Sequence, residues 1–119
     1  MASRFFRFPV CCPVGNVGAS QSDVEFFEFT APVAGLIHSI QFYCQAIAAN
    51  ASSRVKKNGT AITDAIIPAA KVVSRVVPTD PFVNEGDAIT VHATTDAAGT
   101  FTALTVTVII KQQEAVSTI

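Results

Sequence analysis

The stretch that most constrains this chain is Thr100 to Lys111, Thr-Phe-Thr-Ala-Leu-Thr-Val-Thr-Val-Ile-Ile-Lys, a run without Gly or Pro in which β-branched residues hold most positions. β-Branched side chains are stiff at χ1 and crowd a helical turn, whereas they pack well on a pleated surface. Alternation at a period of two puts Thr102, Leu104, Val106, Val108 and Ile110 on one face and Phe101, Ala103, Thr105, Thr107 and Ile109 on the other, and no helical stripe competes with it. The run reads as a central strand of an all-β domain.

Shorter strand signals precede it. Asp23 to Thr30 alternates until Phe26-Phe27, where a slip of one residue marks a bulge or a twist in the strand, and Ala31-Pro32-Val33-Ala34-Gly35 then breaks it. Leu36 to Ala46 places Leu36, His38, Ile40, Phe42, Cys44 and Ala46 on one apolar side. On that side His38 and Cys44 read as core residues, because neither a carboxylate nor a nucleophile accompanies the histidine in sequence. The sharpest local signal is Arg54 to Ile62, where Asn58-Gly59 supplies the two positive-φ positions of a type I′ turn and so a tight hairpin. Thr63 to Ala70 fits a loop or one helical turn equally and is read as loop. Lys71 to Val77 reads as a strand stopped by Pro78-Thr79-Asp80-Pro81, Phe82 as an apolar anchor, and Ala88 to Thr94 as a strand joined to the last by a reverse turn over Thr95 to Gly99. Seven or eight short strands with turn signals about every ten residues predict an antiparallel β-sandwich, jelly-roll-like.

At 119 residues the chain holds one core, organised as an N-terminal arm over 1–22, a sandwich domain over 23–111 and a C-terminal tail over 112–119. Charged residues are 14% of the chain, against about 25% in an ordinary soluble domain, and that deficit points to buried subunit contacts. A net charge of −1 and a pI near 6.0 argue against nucleic acid as a partner. No apolar run approaches a membrane span, and the opening residues lack a leader pattern, so synthesis in the cytoplasm is expected. Cys11, Cys12 and Cys44 are an odd set without metal-ligand spacing and read as reduced thiols, so no metal or cofactor is expected. The carboxylates are scattered and neither histidine stands at a catalytic spacing, which points away from an enzyme.

Two clusters are candidate contact residues. In the arm, Arg4-Phe5-Phe6-Arg7-Phe8 is too apolar for a solvated tail and reads either as an edge strand ending at Pro9 or as an arm buried against another subunit. Lys56 and Lys57, beside Arg54, are the densest positive charge and read as a guarded strand edge or a polyanion contact.

Phe29-Thr30-Ala31-Pro32-Val33-Ala34-Gly35-Leu36-Ile37, Val55-Lys56-Lys57-Asn58-Gly59-Thr60-Ala61-Ile62, Val83-Asn84-Glu85-Gly86-Asp87-Ala88-Ile89-Thr90-Val91 and Leu104-Thr105-Val106-Thr107-Val108 together resemble the small β-sandwich structural proteins of tailed bacteriophages. The resemblance spans about 90 residues in order, in generic turn and strand motifs, and excludes the N-terminal arm. It implies a jelly-roll homotrimer on the capsid surface, a decoration (cement) protein whose partner is the major capsid protein. The alternative within the same group is a head-fibre or tail accessory module binding a host-surface glycan. Against that stands the absence of Trp and the single Tyr, since sugar platforms use exposed aromatic rings.

Overall fold

The computed structural model describes residues 4–114, with side chains over 7–112. Ten strands follow one another: β1 (Arg4–Val17), β2 (Val24–Thr30), β3 (Gly35–Tyr43), β4 (Ala46–Ala48), β5 (Ala51–Lys57), β6 (Thr60–Ala61), β7 (Ser74–Val76), β8 (Phe82–Val83), β9 (Ala88–Thr95) and β10 (Thr100–Glu114). Sheet A runs β1-β10-β3-β7, with β4 beside β10 and β8 beside β3, and sheet B runs β2-β9-β5-β6. All ladders are antiparallel.

The pairing has one organising centre. Arg4 faces Glu114, Val24 faces Ala93, Ile40 faces Val76 and Lys57 faces Thr60, so each ladder straddles the same midpoint at Asn58-Gly59. The chain is one long hairpin that is rolled up, its successive rungs falling alternately in sheet A and sheet B. Rolling brings β10 against β3 and β9 against β5, which is the strand order of a jelly roll. Asn58 has φ 50° and Gly59 φ 85°, the two positive values of a type I′ turn, whose twist matches that of the strands it joins.

Between the sheets lie Ile37, Ile40, Phe42, Leu104, Val106, Val108 and Ile110 from sheet A against Val55, Ile89 and Val91 from sheet B, all at most 1% exposed. Burial of each such side chain contributes about 1.5–3 kcal/mol relative to exposure.

Several expectations are corrected by backbone irregularities. The strand count is ten because the second long strand divides into β3 and β4 and because Phe82-Val83 pairs with β3. In β10 the alternation breaks at Ala103, which adopts φ 51° and donates its N–H to Asn16 Oδ1 at 2.9 Å. Phe101 is thereby buried and Thr102 exposed, the reverse of simple alternation. In β3, Ser39 pairs with Ile109 and Ile37 with Ile110, so His38 is the extra residue of a bulge and lies half-buried, off the apolar row that holds Ile40, Phe42 and Cys44. The bulge expected in β2 is present, as a register shift between Glu25 and Phe27. Of the C-terminal tail, residues 112–114 continue β10 and the rest lies outside the described residues.

The N-terminal segment expected as an arm over 1–22 is, from Arg4 to Val17, an edge strand running past Pro9 along the whole of β10. Phe8, Val10 and Val14 pack on the core, and Cys12 and Val17 belong to it. Beyond Lys111, the last partner of β3, the rungs of residues 112–114 are made with residues 4–6 alone, so the ribbon of β1 and β10 extends past its neighbour.

Candidate interaction surfaces

The sequence-selected contact residues do not come together. Arg4, Phe5 and Phe6 are strand positions of β1 opposite Glu114, Gln113 and Gln112, and their side chains lie outside the described set. Arg7 is exposed opposite Lys111, while Phe8 turns inward opposite Ile110. Lys56 and Lys57 lie in the other sheet, and both ammonium groups are committed. Lys56 Nζ pairs with Asp23 Oδ2. Lys57 Nζ donates to Asp80 Oδ2 at 2.5 Å and to the Phe82 carbonyl at 2.7 Å. These lysines tie β5 to the start of β2 and to the loop before β8, leaving little charge free for an external polyanion.

Asp23, which the sequence did not single out, is the hub of the outer face of sheet B. It adopts φ 49°, its N–H donates to Thr94 Oγ1 at 3.0 Å, and its carbonyl lies 3.1 Å from His92 Nδ1. His92 Nε2 meets Thr90 Oγ1 at 2.9 Å. The hydrogen bond from Lys56 holds the Asp23 carboxyl below its ordinary range; burial opposes this, and the charges of Lys56, His92 and Arg54 add to it. Every polar atom here has a partner in the turn except Asp23 Oδ1, which is 3.8 Å from His92 Nδ1. The arrangement pins a strained turn. It resembles no acid–base pair poised over a cavity.

Two further staples are structural. The Asn58 amide donates to Asp87 Oδ1 at 3.0 Å while its oxygen accepts the Ala88 N–H at 2.9 Å, fastening the β5–β6 turn to β9. Asn50 Nδ2 donates to Asp96 Oδ2 at 2.7 Å, joining the loop before β5 to the β9–β10 turn. Beside this second staple is an open depression of about 200 Å³ lined by Asn50, Ala51, Ser52, Ile67, Thr94, Thr95 and Asp96. Among the described residues, no three His, Cys, Asp or Glu side chains are grouped as a metal site.

The edges differ in what they offer. β1 is a long open edge, but Pro9 and Pro13 lack N–H groups on the side turned away from β10, which blunts pairing with an added strand. The opposite edge of sheet A is apolar. Of the seven exposed large hydrophobic residues among the described side chains, five (Leu36, Val72, Val73, Val77 and Phe82) flank β7 and β8. Phe82, read from sequence as an anchor, is 67% exposed and lies across from Leu36; Val72, Val73 and Val77 also remain outside, because only Ser74–Val76 pairs with β3. The available signal was Pro78 and Pro81, which stop the strand from continuing and leave its valines without a sheet partner.

These features define a β-jelly-roll domain with stapled turns and one apolar sheet edge. No family model, curated protein or solved structure matches the chain.

Proposed function

We propose that this chain is a virion structural protein of the capsid-decoration (cement) kind, which binds the assembled head shell formed by the major capsid protein and stabilises it. The observation that carries the reading is the division of labour in the rolled hairpin. Its central turns are locked by their own side chains, through Lys57-Asp80, Asn58-Asp87 and Asn50-Asp96, while exposed apolar side chains collect along the β7–β8 edge. A small rigid sandwich with an apolar edge is suited to burying surface across joints between larger subunits. A protein that binds only the closed shell stabilises that state by mass action. In this reading the chain is made in the host cytoplasm, assembles as a homotrimer on the capsid surface, carries no cofactor, catalyses no reaction, and contacts neither nucleic acid nor membrane directly.

The test is to add purified protein to heads that lack it and measure bound copies together with the temperature at which the shells open. Saturable binding and a raised opening temperature are expected. Failure to bind closed shells would overturn the reading. The rival, an accessory module binding a host-surface glycan, is favoured by the depression, where Asn50, Ser52 and Asp96 border Ala51 and Ile67; binding of a glycan array abolished by Asp96→Ala would select it.

A further inference from the structure

The apolar edge of sheet A carries a charge as well as bulk. In β7 and its flanks, Ser74 and Val76 face the core opposite Phe42 and Ile40, so alternation turns Val73, Arg75 and Val77 outward together. Phe82 and Leu36 form the next exposed rung of the same face. Arg75 makes no ion pair among the described residues. The patch is thus a set of valines and a phenylalanine with the Arg75 cation among them, and the exposed Lys71 precedes it in sequence.

The chain also carries the complement of this patch. Outside the β7–β8 region, Val24 is the one exposed large hydrophobic residue on a strand among those whose side chains are described, and it begins β2, an edge strand free of proline. Val24 pairs with the buried Ala93 and so borders the edge from the inner side, whereas Glu25 and Glu28 are exposed on the outer face opposite His92 and Thr90, and neither makes an ion pair among the described residues. β2 and β7 are terminal strands of different sheets, and β2 lies beside β1, on the side of the sandwich away from β7. A single molecule therefore cannot bring the two patches together.

We infer that copies of this chain associate head to tail, the Val73-Arg75-Val77-Phe82 edge of one docking on the Val24-Glu25-Glu28 edge of the next. Charge decides the geometry. An isologous contact of either patch with itself would set Arg75 against Arg75 or Glu25 and Glu28 against their own copies, whereas the heterologous contact pairs opposite charges beside the apolar side chains of the β7–β8 edge. Such a contact closes into a ring or extends as a row, according to the rotation between copies. The inference draws on the same β7–β8 edge as the shell-binding reading but assigns it to a second copy, and its test is separate because it concerns the isolated protein.

Charge reversal tests it by sedimentation equilibrium of the full chain. The wild type should give masses at multiples of 12.5 kDa that rise with concentration. Arg75→Glu alone, and Glu25→Arg with Glu28→Arg alone, should each weaken association by about tenfold or more, the effect of roughly 1.4 kcal/mol. Mixing the two variants should restore association, because the acidic edge of the first meets the basic edge of the second. All substituted side chains are exposed, and matching thermal melts check that the variants fold. A wild type that stays at 12.5 kDa across the concentration range overturns the inference. So does association that survives both reversals, or a mixture no tighter than its components.

Discussion

Gly59→Val probes the midpoint on which every nested ladder depends. Gly59 has φ 85°, and a Cβ there would meet nothing within 4 Å, so its cost is conformational rather than steric. Left-handed backbone costs an L-residue about 1–2 kcal/mol, and a β-branched side chain belongs at the upper end. Asn58→Ala should cost more. It removes the hydrogen bonds to Asp87 and from Ala88, each about 0.5–1.5 kcal/mol net, and places alanine at φ 50°, for a total of about 2–5 kcal/mol. In a chain of this size, 1 kcal/mol shifts the melting temperature by roughly 3–6 °C, so Gly59→Val should melt roughly 5–12 °C below wild type. Closing the Asn58-Gly59 turn costs far less chain entropy than joining Arg4 to Glu114, so the turn should form early, and the loss should appear mainly as slower folding. Urea unfolding with stopped-flow kinetics reads both quantities. A Gly59→Val protein that melts with wild type removes the type I′ turn from the account, and a loss confined to the unfolding rate removes the early midpoint.

Gly35→Ala should destabilise for the opposite reason, since its Cβ would lie 2.4 Å from the Lys111 carbonyl oxygen, which is strand backbone and cannot swing aside; a loss of about 1–3 kcal/mol is expected in thermal melts, and no loss would mean that β3 and β10 separate there. Deleting residues 2–10 strips the partners of residues 108–114 and the core packing of Phe8 and Val10, and should lower stability by several kcal/mol, on the order of half of a typical domain's total; a truncated chain that melts with the full one would make the first half of β1 dispensable. Burial pushes the Cys12 thiol up to about 12, with the neighbouring Cys11 adding to it, and burial also raises Cys44, so a thiol reagent at neutral pH should label one cysteine, the exposed Cys11, in the native chain and all three after unfolding. Asp23, Asp80, Asp87 and Asp96 are all held below their ordinary value, chiefly by hydrogen bonds from Lys56, Lys57, the Asn84 N–H and Asn50 respectively. A depressed carboxyl contributes stability that is complete above its unfolded value of about 4 and is lost as pH falls through the folded value, so melts taken downward from pH 4 should show declining stability, and Lys56→Met should flatten the decline.

The features readable in the sequence were those fixed within a few residues. Asn58-Gly59 needs no distant partner to specify a type I′ turn, and the Phe26-Phe27 slip declares its own bulge. The irregularities that went unread depend on contacts far away in the chain. Ala103 carries no local mark of positive φ; it bulges where β10 passes from pairing with β3 to pairing with β4 while Asn16, 87 residues away, accepts its N–H. His38 is displaced by a register shift that belongs jointly to β3 and β10. Lys56 and Lys57 looked like free charge because Asp23 and Asp80 are 33 and 23 residues away along the chain.

The same division explains why the N-terminal segment and the apolar edge were the hardest surfaces to read. A strand's burial is decided by what lies on both its sides, and β1 gains its place only because β10, at the other end of the rolled hairpin, supplies a full ladder. Once Asn58-Gly59 is taken as the midpoint of a chain with no helix among its described residues, equidistant segments become the natural partners, and residues 4–17 are required opposite 101–114. Following that pairing inward, β3 should find an equally long partner in residues 74–83, yet Pro78 and Pro81 interrupt it, and only Ser74–Val76 and Phe82–Val83 can join the sheet. The interruption is what strands Val73, Val77 and Phe82 outside. A monomeric domain gains nothing from large apolar side chains held there in water, whereas a docking edge needs them with a cation such as Arg75 in their midst, and that asymmetry is why the edge, more than the N-terminal aromatics, is where contact with another subunit should be sought.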